Sequence, residues 1–434
     1  MKKIIFQLII MVACTMPSLA QTESVSTLTT TSFEVNGLKV IFKPTVKEVI
    51  SVRMYYRGGN TNYPANQAGI ENFALKAATE CGVKKYTANT FKDMADNYNI
   101  NIGGSSSYDY GNISLNCVAK YFDLGWDLFS RAVTEPTFEA GEVELLKAKL
   151  LAAINGSATD PDDRSEKLAL KSAFEGTPYA YDPDGTEETV TALNADALKN
   201  YYYKLLNKKR MFLVVAGKIT REQLEQKVKA AFANLPEAPY QPATYNTPQW
   251  DGQKILAEKR DLATNYLNAM MNAPVMGSAD YVPFRMGING LSGILFSQLR
   301  TKYNLSYAPG AYSVLQQMPY AMMYVSTTNP KEAAKIMLTS IDRIKNSTLT
   351  KEGLRDMKSG YITSNYMKQQ SSDAVTGSLG VAEILGDWMY AERMPDLINN
   401  VTPAQINQAL NKYIKGLRWS YLGTEKDAVG LLQE

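Results

Sequence analysis

Hydrophobic and polar positions follow two different spacings along this chain, and the spacings predict an ordered series of strands and helices. β-prone apolar runs occupy residues 32–43, with a turn at Gly37, and residues 50–56. Apolar side chains recur at helical spacing within residues 69–80, which predicts a helix there. Further along, the patterns predict helices at residues 90–98, 121–133, 138–154, 165–174, 195–205 and 220–233. They predict strands at residues 101–108, 112–119 and 211–216.

The second half of the chain repeats this order after a proline-rich segment. Residues 236–252 contain four prolines and little apolar periodicity, which is typical of a linker. The predicted elements that follow are strand 266–273, helix 284–302, strands 307–315 and 320–327, helices 331–345 and 351–369, further helices, and strand 417–422. The matching order predicts an α+β fold of two homologous α/β-sandwich domains, residues 21–236 and 253–434, joined by a linker at 237–252.

The first residues have the pattern of a signal peptide. Two lysines follow the initiator methionine, and the apolar run at residues 4–14 is too short to span a bilayer. A small-residue cleavage site ends at Ala20. Lipidation at Cys14 is a second possibility, but residues 11–14 lack the usual leucine. We expect an exported protein, periplasmic or secreted, with no later run long enough for an integral membrane span.

The composition excludes several kinds of catalytic and metal site. The chain has 434 residues and no histidine, which excludes a Ser-His-Asp triad, a Cys-His dyad and a histidine-based zinc site. The formal charge of +3 comes from 46 basic and 43 acidic residues, so nothing favours nucleic acid as a partner. Cys81 and Cys117 remain after cleavage, and they are either a disulfide or two buried thiols.

The predicted helix at residues 69–80 begins with a specific pattern. Its residues 69–76 (GIENFALK) are similar to the helix on which insulinase/pitrilysin-type zinc metallopeptidases, the inverzincins, carry H-x-x-E-H. Other segments resemble the same family at residues 57–59 (RGG), 103–109 (GGSSSYD), 185–186 (GT) and 295–307, the last being similar to the family's Arg/Tyr motif. The resemblance spans roughly residues 30–425 and implies a duplicated metallopeptidase half-clamshell.

The positions that carry catalysis in the family are altered here. The first zinc histidine falls at Asn72, the general-base glutamate at Leu75, the second histidine at Lys76 and the third ligand at Ala153. An amide is a weak ligand, an ammonium repels a metal cation, and leucine cannot take a proton from water. Zinc hydrolysis needs three protein ligands, an open position and a base. The resemblance therefore implies that this chain holds no metal and is inactive on its own.

Two other family features are intact. Arg300 and Tyr307 keep the spacing of the Arg/Tyr motif, whose guanidinium and phenol can stabilise the oxyanion of a substrate carbonyl. Taken alone, they would be an arginine at a helix C-terminus and a tyrosine at the start of the next strand. The resemblance also implies that a strand edge binds extended peptide at Gly103, Gly104, Ser105, Ser106 and Ser107.

Together these features predict the zinc-less subunit of a periplasmic heterodimeric zinc endopeptidase. Arg300 and Tyr307 would serve the active site of a homologous partner subunit that bears H-x-x-E-H and holds the zinc. The substrate would be an unfolded peptide. The alternative is a non-enzymatic peptide-binding or scaffolding protein in a larger envelope complex. A metal site built from the scattered acids Glu80, Asp93, Asp96 and Asp109 is a weaker idea, because they lack ligand spacing.

Overall fold

The computed structural model describes residues 28–244, 246–346, 349–428 and 430–431. The predicted signal peptide and Cys14 lie outside these residues. Two mixed sheets organise the described chain, one in each half, and helices surround both. The α+β prediction is therefore confirmed.

The first sheet has six strands in the spatial order β1-β2-β6-β3-β5-β4. The strands are β1 Thr31–Val35, β2 Leu38–Pro44, β3 Val49–Arg57, β4 Asn101–Ser106, β5 Tyr110–Val118 and β6 Met211–Gly217. Strand β2 runs parallel to β6, and the other neighbouring pairs are antiparallel. Strand β4 is an edge, so one side of its backbone is not paired within the sheet.

Eight helices accompany this sheet: α1 Ile70–Glu80, α2 Ala88–Asn97, α3 Phe122–Thr134, α4 Ala140–Thr159, α5 Pro161–Ala173, α6 Glu187–Thr191, α7 Ala195–Leu205 and α8 Arg221–Phe232. Helix α5 begins earlier than the predicted residue 165. The Asp160 carboxylate accepts the Asp163 N–H at 3.0 Å, and Pro161 occupies the first helical turn. Asp160 and Pro161 end one helix and start the next, as an N-cap and N1 proline do.

The second sheet has five strands in the order β7-β11-β8-β10-β9. The strands are β7 Gln253–Lys259, β8 Asn265–Asn272, β9 Gly310–Val314, β10 Tyr320–Thr327 and β11 Leu417–Gly423. Its helices are α9 Tyr281–Leu295, α10 Pro330–Asn346, α11 Lys351–Lys368, α12 Ser372–Ile384, α13 Met389–Asn399, α14 Pro403–Tyr413 and α15 Glu425–Ala428, and a π-helical segment, Phe296–Lys302, continues α9. Strand β7 was not predicted, because this mostly exposed edge strand has no apolar face.

The two halves have the same topology. Strand β7 runs parallel to β11 as β2 does to β6, and β9 is an edge as β4 is. Matching the element order pairs α1 with α9, α4 with α11, α5 with α12 and α6 with α13. This pairing supports the duplication that the sequence pattern indicated.

One helix from each half packs on the sheet of the other half. Helix α5 packs on the second sheet, where Phe174 just beyond it contacts Trp250 and Tyr320, with ring centroids 5.6 and 5.7 Å apart. Helix α12 packs on the first sheet, and Leu379 and Val375 join a buried cluster with β-strand side chains there. The domain boundaries, residues 21–236 and 253–434, remain a prediction, since each sheet depends on a helix from beyond its own half.

One buried carboxylate also joins the halves. Asp109, in the β4–β5 hairpin, accepts the Gln317 N–H at 3.0 Å and the Tyr179 hydroxyl. Burial raises the pKa of Asp109 to about 6, and the two hydrogen bonds offset part of this effect. Asp109 is a fixed structural group, so it does not contribute to a metal site.

We expect Asp109→Asn to change the pH dependence of stability. Because the pKa of Asp109 is higher in the folded chain than in the unfolded chain, its protonated form stabilises the fold at low pH. That contribution is lost as the pH rises through about 6. Relative to the variant, the wild type should lose about 2 kcal/mol between pH 4 and pH 7. Urea denaturation of both proteins across this range measures the difference, with exposed Asp93→Asn as the control. A wild-type-to-variant difference that stays constant with pH would contradict the expectation.

Candidate functional site

Helix α1, the counterpart of the family's zinc helix, is held against the sheet edge by two glycines. Gly69 begins it with a φ of +91°, and a Cβ there would come 2.8 Å from the Asp184 carbonyl oxygen. Gly104 of β4 lies so close to the helix that a Cβ would come 2.0 Å from the Leu75 carbonyl oxygen. A side chain at either position would separate backbone from backbone, so glycine is required at both.

Asn72 is 3% exposed, and both ends of its side-chain amide form hydrogen bonds. Its Nδ2 donates to Asp184 Oδ1 at 2.7 Å, and its Oδ1 accepts the Ser106 N–H at 3.3 Å. The residue that replaces the first zinc histidine therefore connects helix α1 to the loop before α6 and to the edge strand β4. A neutral amide oxygen that already accepts a hydrogen bond is a poor ligand for zinc.

The other three positions have different surroundings. Leu75 is fully buried in the core, Lys76 is half-buried, and Ala153 is exposed on α4. Burial, with the charge of Asp182, raises the pKa of Asp184, and the Lys76 charge offsets part of that rise. An amide committed to hydrogen bonds, an ammonium, a leucine and an alanine do not fit a zinc ion. Within the described ranges no group of three Cys, Asp or Glu side chains could hold a metal either.

Glu71 precedes these positions, and its environment was not anticipated from the sequence. Its side chain is fully buried. Its carboxylate accepts from Asn62 Nδ2 at 2.7 Å, from Ser106 Oγ at 3.2 Å and from the Tyr201 hydroxyl. Burial raises the pKa of Glu71, and these hydrogen bonds counteract that rise. The carboxylate is a structural anchor whose lone pairs are used, and its partners come from distant segments that no local pattern connects to it.

The predicted peptide-binding strand is an edge strand over residues 101–106. Ser107 lies beyond it in the hairpin turn, where its N–H donates to the Tyr110 oxygen at 2.8 Å, so the strand predicted over residues 101–108 ends two residues earlier. Along the strand, Ser106 directs its N–H away from β5 to Asn72. Since alternate residues of a strand point the same way, Gly104 directs its backbone toward the open edge as well. Ser105 and Gly103 face β5, and Ser105 Oγ accepts from Asn112.

Arg300 and Tyr307 lie together, although not in the elements predicted for them. Arg300 belongs to the π-helical segment, and Tyr307 lies in the loop before β9, which begins only at Gly310. The Arg300 guanidinium donates to the Tyr307 carbonyl oxygen and stacks over the Tyr307 ring at 4.1 Å and the Phe296 ring at 5.3 Å. Tyr307 is 78% exposed. The chain thus presents a preformed cation–aromatic cluster on its surface.

The cluster and the degenerate site on α1 are separate in this chain. In the part of the chain that the structure describes, no hydrogen bond or ion pair connects Arg300 or the Tyr307 side chain to Asn72, Lys76 or Asp184. Cys81 and Cys117 are free, buried thiols, and burial raises the pKa of each to about 12. Neither is available as a thiolate nucleophile.

Comparison with known proteins agrees with this geometry. Residues 192–361 match the family model for the peptidase M16 inactive domain. Over this segment the chain resembles the M16 peptidases. A relative from Helicobacter pylori named "Non-peptidase homolog YmxG" is 21% identical over 74% of this chain and 76% of its own length. These matches confirm the resemblance to insulinase-type peptidases, and the matched model and relative are themselves described as inactive or non-peptidase.

Two solved structures have the same fold. The peptidase M16 inactive domain from Pseudomonas fluorescens superposes with a TM-score of 0.81 at 20% identity, covering 92% of this chain and 98% of that one. The periplasmic protease PqqL from Escherichia coli has a TM-score of 0.75 at 12% identity, and the match covers 91% of this chain but 46% of PqqL. None of the described helices is long and apolar enough to cross a membrane.

Proposed function

We propose that this chain is the zinc-less subunit of a periplasmic, two-subunit zinc endopeptidase that cleaves unfolded peptides. The observation that carries the proposal is the combination of an unusable zinc site with an intact, exposed Arg300–Tyr307 cluster. A guanidinium and a phenol aimed at solvent have no role in this chain's core. They suit contact with a substrate held in another subunit.

Chemically, the cluster can stabilise charge that develops on a peptide carbonyl. Arg300 keeps further N–H donors beyond the one given to the Tyr307 carbonyl, because a guanidinium has five. The stacked Tyr307 and Phe296 rings limit the freedom of the guanidinium before substrate arrives. Such preorganised donors are effective because they need no reorientation when the oxyanion forms. The partner would supply the zinc and the general base.

The assembly is supported by size as well as by geometry. This chain corresponds to 46% of the length of PqqL, a periplasmic protease whose single chain is about twice as long. Two chains of this length would make an enclosure of comparable size. A homologous subunit with an intact H-x-x-E-H helix is the partner we propose, and the periplasm is the proposed compartment.

Strand β4 is the proposed peptide contact in this chain. Its open edge can hydrogen-bond an extended peptide at Gly104, whereas the Ser106 N–H is already used by Asn72. Because one N–H group on this edge is already used, we expect the strand to position a peptide through weak contacts rather than to bind it tightly. It also supports the second candidate, a non-enzymatic peptide-binding or scaffolding protein, as does the name of the Helicobacter pylori relative.

Peptidase assays on a quenched, unstructured peptide separate the two candidates. The mature chain alone should show no hydrolysis, and hydrolysis should be greatest when it is mixed with the H-x-x-E-H-bearing chain encoded nearest to it. A chelator should abolish that activity. Two results would contradict the subunit proposal: the partner is equally active without this chain, or no mixture is active while this chain still binds the peptide. Either result would favour the non-enzymatic peptide-binding or scaffolding protein.

A further inference from the structure

The second half contains a partly open cavity among four of its helices. Helices α9, α11, α12 and α13, which match α1, α4, α5 and α6 in element order, surround about 430 Å³.

Most of the chamber wall is apolar. Its surface includes Val282, Met286, Leu315, Val381, Met394 and Ile398. Methionine side chains are flexible and adapt to ligands of varied shape. The volume falls within the range of about 300–1,000 Å³ that is usual for small-molecule sites. The apolar wall therefore suits an aliphatic or aromatic body rather than a polar one.

The charged groups in the wall are both positive. Arg285 and Lys368 line the chamber, and its lining contains no aspartate or glutamate. Arg285 Nη1 donates to the Tyr281 hydroxyl at 2.9 Å, and its guanidinium stacks over that ring at 5.3 Å. Neither cation forms an ion pair with any residue in the described part of the chain. Arg285 is thus oriented but electrostatically unsatisfied.

A third group marks the same wall. Asn365 Nδ2, on α11, is buried and has no hydrogen-bond partner among the described residues. Buried donors are nearly always paired, so an orphaned donor in a cavity wall points to a missing acceptor. An anionic oxygen between Arg285 and Asn365 would supply it. Two donor side chains from different helices and an apolar body space form a built site rather than a packing defect.

We propose that this chamber binds a carboxylate carried on an apolar chain. The carboxylate pairs with Arg285, Asn365 and Lys368, and the chain fills the methionine-lined space. A guanidinium binds a carboxylate through two parallel hydrogen bonds, and one Arg285 nitrogen is already oriented by Tyr281. A medium-chain fatty acid and the C-terminal residue of an apolar peptide share this chemistry.

Helix α12 connects the ligand to the contact between the halves. Gly377, Ser378 and Val381 line the chamber, while Leu379 and Val375 of the same helix pack on the first sheet. A bound chain therefore supports the helix that joins the two halves. Binding should raise the thermal unfolding temperature, since a ligand that binds only the folded state stabilises it.

The test is calorimetric titration of the full mature chain with sodium decanoate. Saturable one-to-one binding is expected, with affinity at least tenfold above that for decanol. Arg285→Gln should weaken decanoate binding at least tenfold, whereas Arg355→Gln, the same charge change on α11 at a position outside the chamber, should leave it within twofold. Ser378→Phe should abolish binding by filling the space, and Ser378 is exposed, so the fold tolerates the change.

A second arm distinguishes the two ligand sources. In the same titrations, the peptide acetyl-Leu-Leu-Phe replaces the fatty acid. It is used once with a free C-terminal carboxylate and once as its C-terminal amide. Preference for either carboxylate supports the site and identifies the source. Equal affinity for decanol and decanoate, unchanged binding in Ser378→Phe, or no binding of either carboxylate overturns the proposal. If Arg285→Gln does not fold, Lys368→Gln together with Ser378→Phe decides the same question.

Discussion

Arg300→Ala should lower the kcat/KM of the reconstituted two-chain peptidase by about 10²–10³-fold, the scale for removing one oxyanion donor. The guanidinium is stacked between Phe296 and Tyr307 and keeps N–H groups directed outward, so it can act without rearrangement. Its removal deprives the transition state of a charged donor while leaving the partner's zinc and base in place. The assay is steady-state hydrolysis of the quenched peptide at saturating partner concentration.

Lys302→Ala is the matched control. Lys302 belongs to the same π-helical segment and stacks on Tyr303 at 4.7 Å, so its loss removes an equal charge close by. We expect a change within about twofold, because Lys302 is exposed, so salt screens its charge, and it is not part of the Arg300–Tyr307 cluster. Tyr307→Phe should fall between the two, since it keeps the ring under Arg300 and loses the hydroxyl.

These variants separate two kinds of failure. If the wild-type mixture is inactive, the subunit proposal fails and the Arg300 prediction does not arise. If the mixture is active and Arg300→Ala matches Lys302→Ala, the subunit proposal stands while the role of Arg300 is wrong. Subunit association should be measured for each variant, so that lost binding is not mistaken for lost catalysis.

Gly104→Ala should lower the free energy of unfolding by about 3 kcal/mol, the upper end of what overpacking costs in a well-packed interior. The added Cβ would lie 2.0 Å from the Leu75 carbonyl oxygen, and neither backbone can move without separating β4 from α1. Urea denaturation of the purified variant measures the loss. The displaced strand should also bind extended peptide more weakly.

Gly103→Ala provides the comparison. The same Cβ built at Gly103 meets no atom within 4 Å, so alanine there should change stability by less than about 1 kcal/mol. Both residues are glycines of one strand, and they differ in whether the helix lies above them. Equal unfolding free energies for the two variants would mean that the close approach of α1 and β4 does not constrain the fold.

The sequence carried the information that depends on residue type and local spacing. Apolar periodicity located the buried strands, such as residues 50–56 within β3, and the helices, because burial on one face requires that periodicity. The prediction of an inactive site rested on the family resemblance, which located the four positions, and on chemistry, since asparagine, leucine, lysine and alanine cannot together bind zinc and activate water. The duplication was visible because both halves repeat the same order of elements.

Tertiary structure decided whatever depends on residues far apart in the chain. Glu71 is a buried anchor because Asn62, Ser106 and Tyr201 converge on it, and Tyr307 is an exposed loop residue stacked on Arg300 rather than the start of a strand. The exchange of α5 and α12 arises from packing between the halves, and the chamber beside Arg285 arises from packing among four helices of the second half. Local spacing cannot encode these features. The apolar face of a helix can pack against the sheet of its own half or against the sheet of the other half, and the sequence of the helix alone does not distinguish the two.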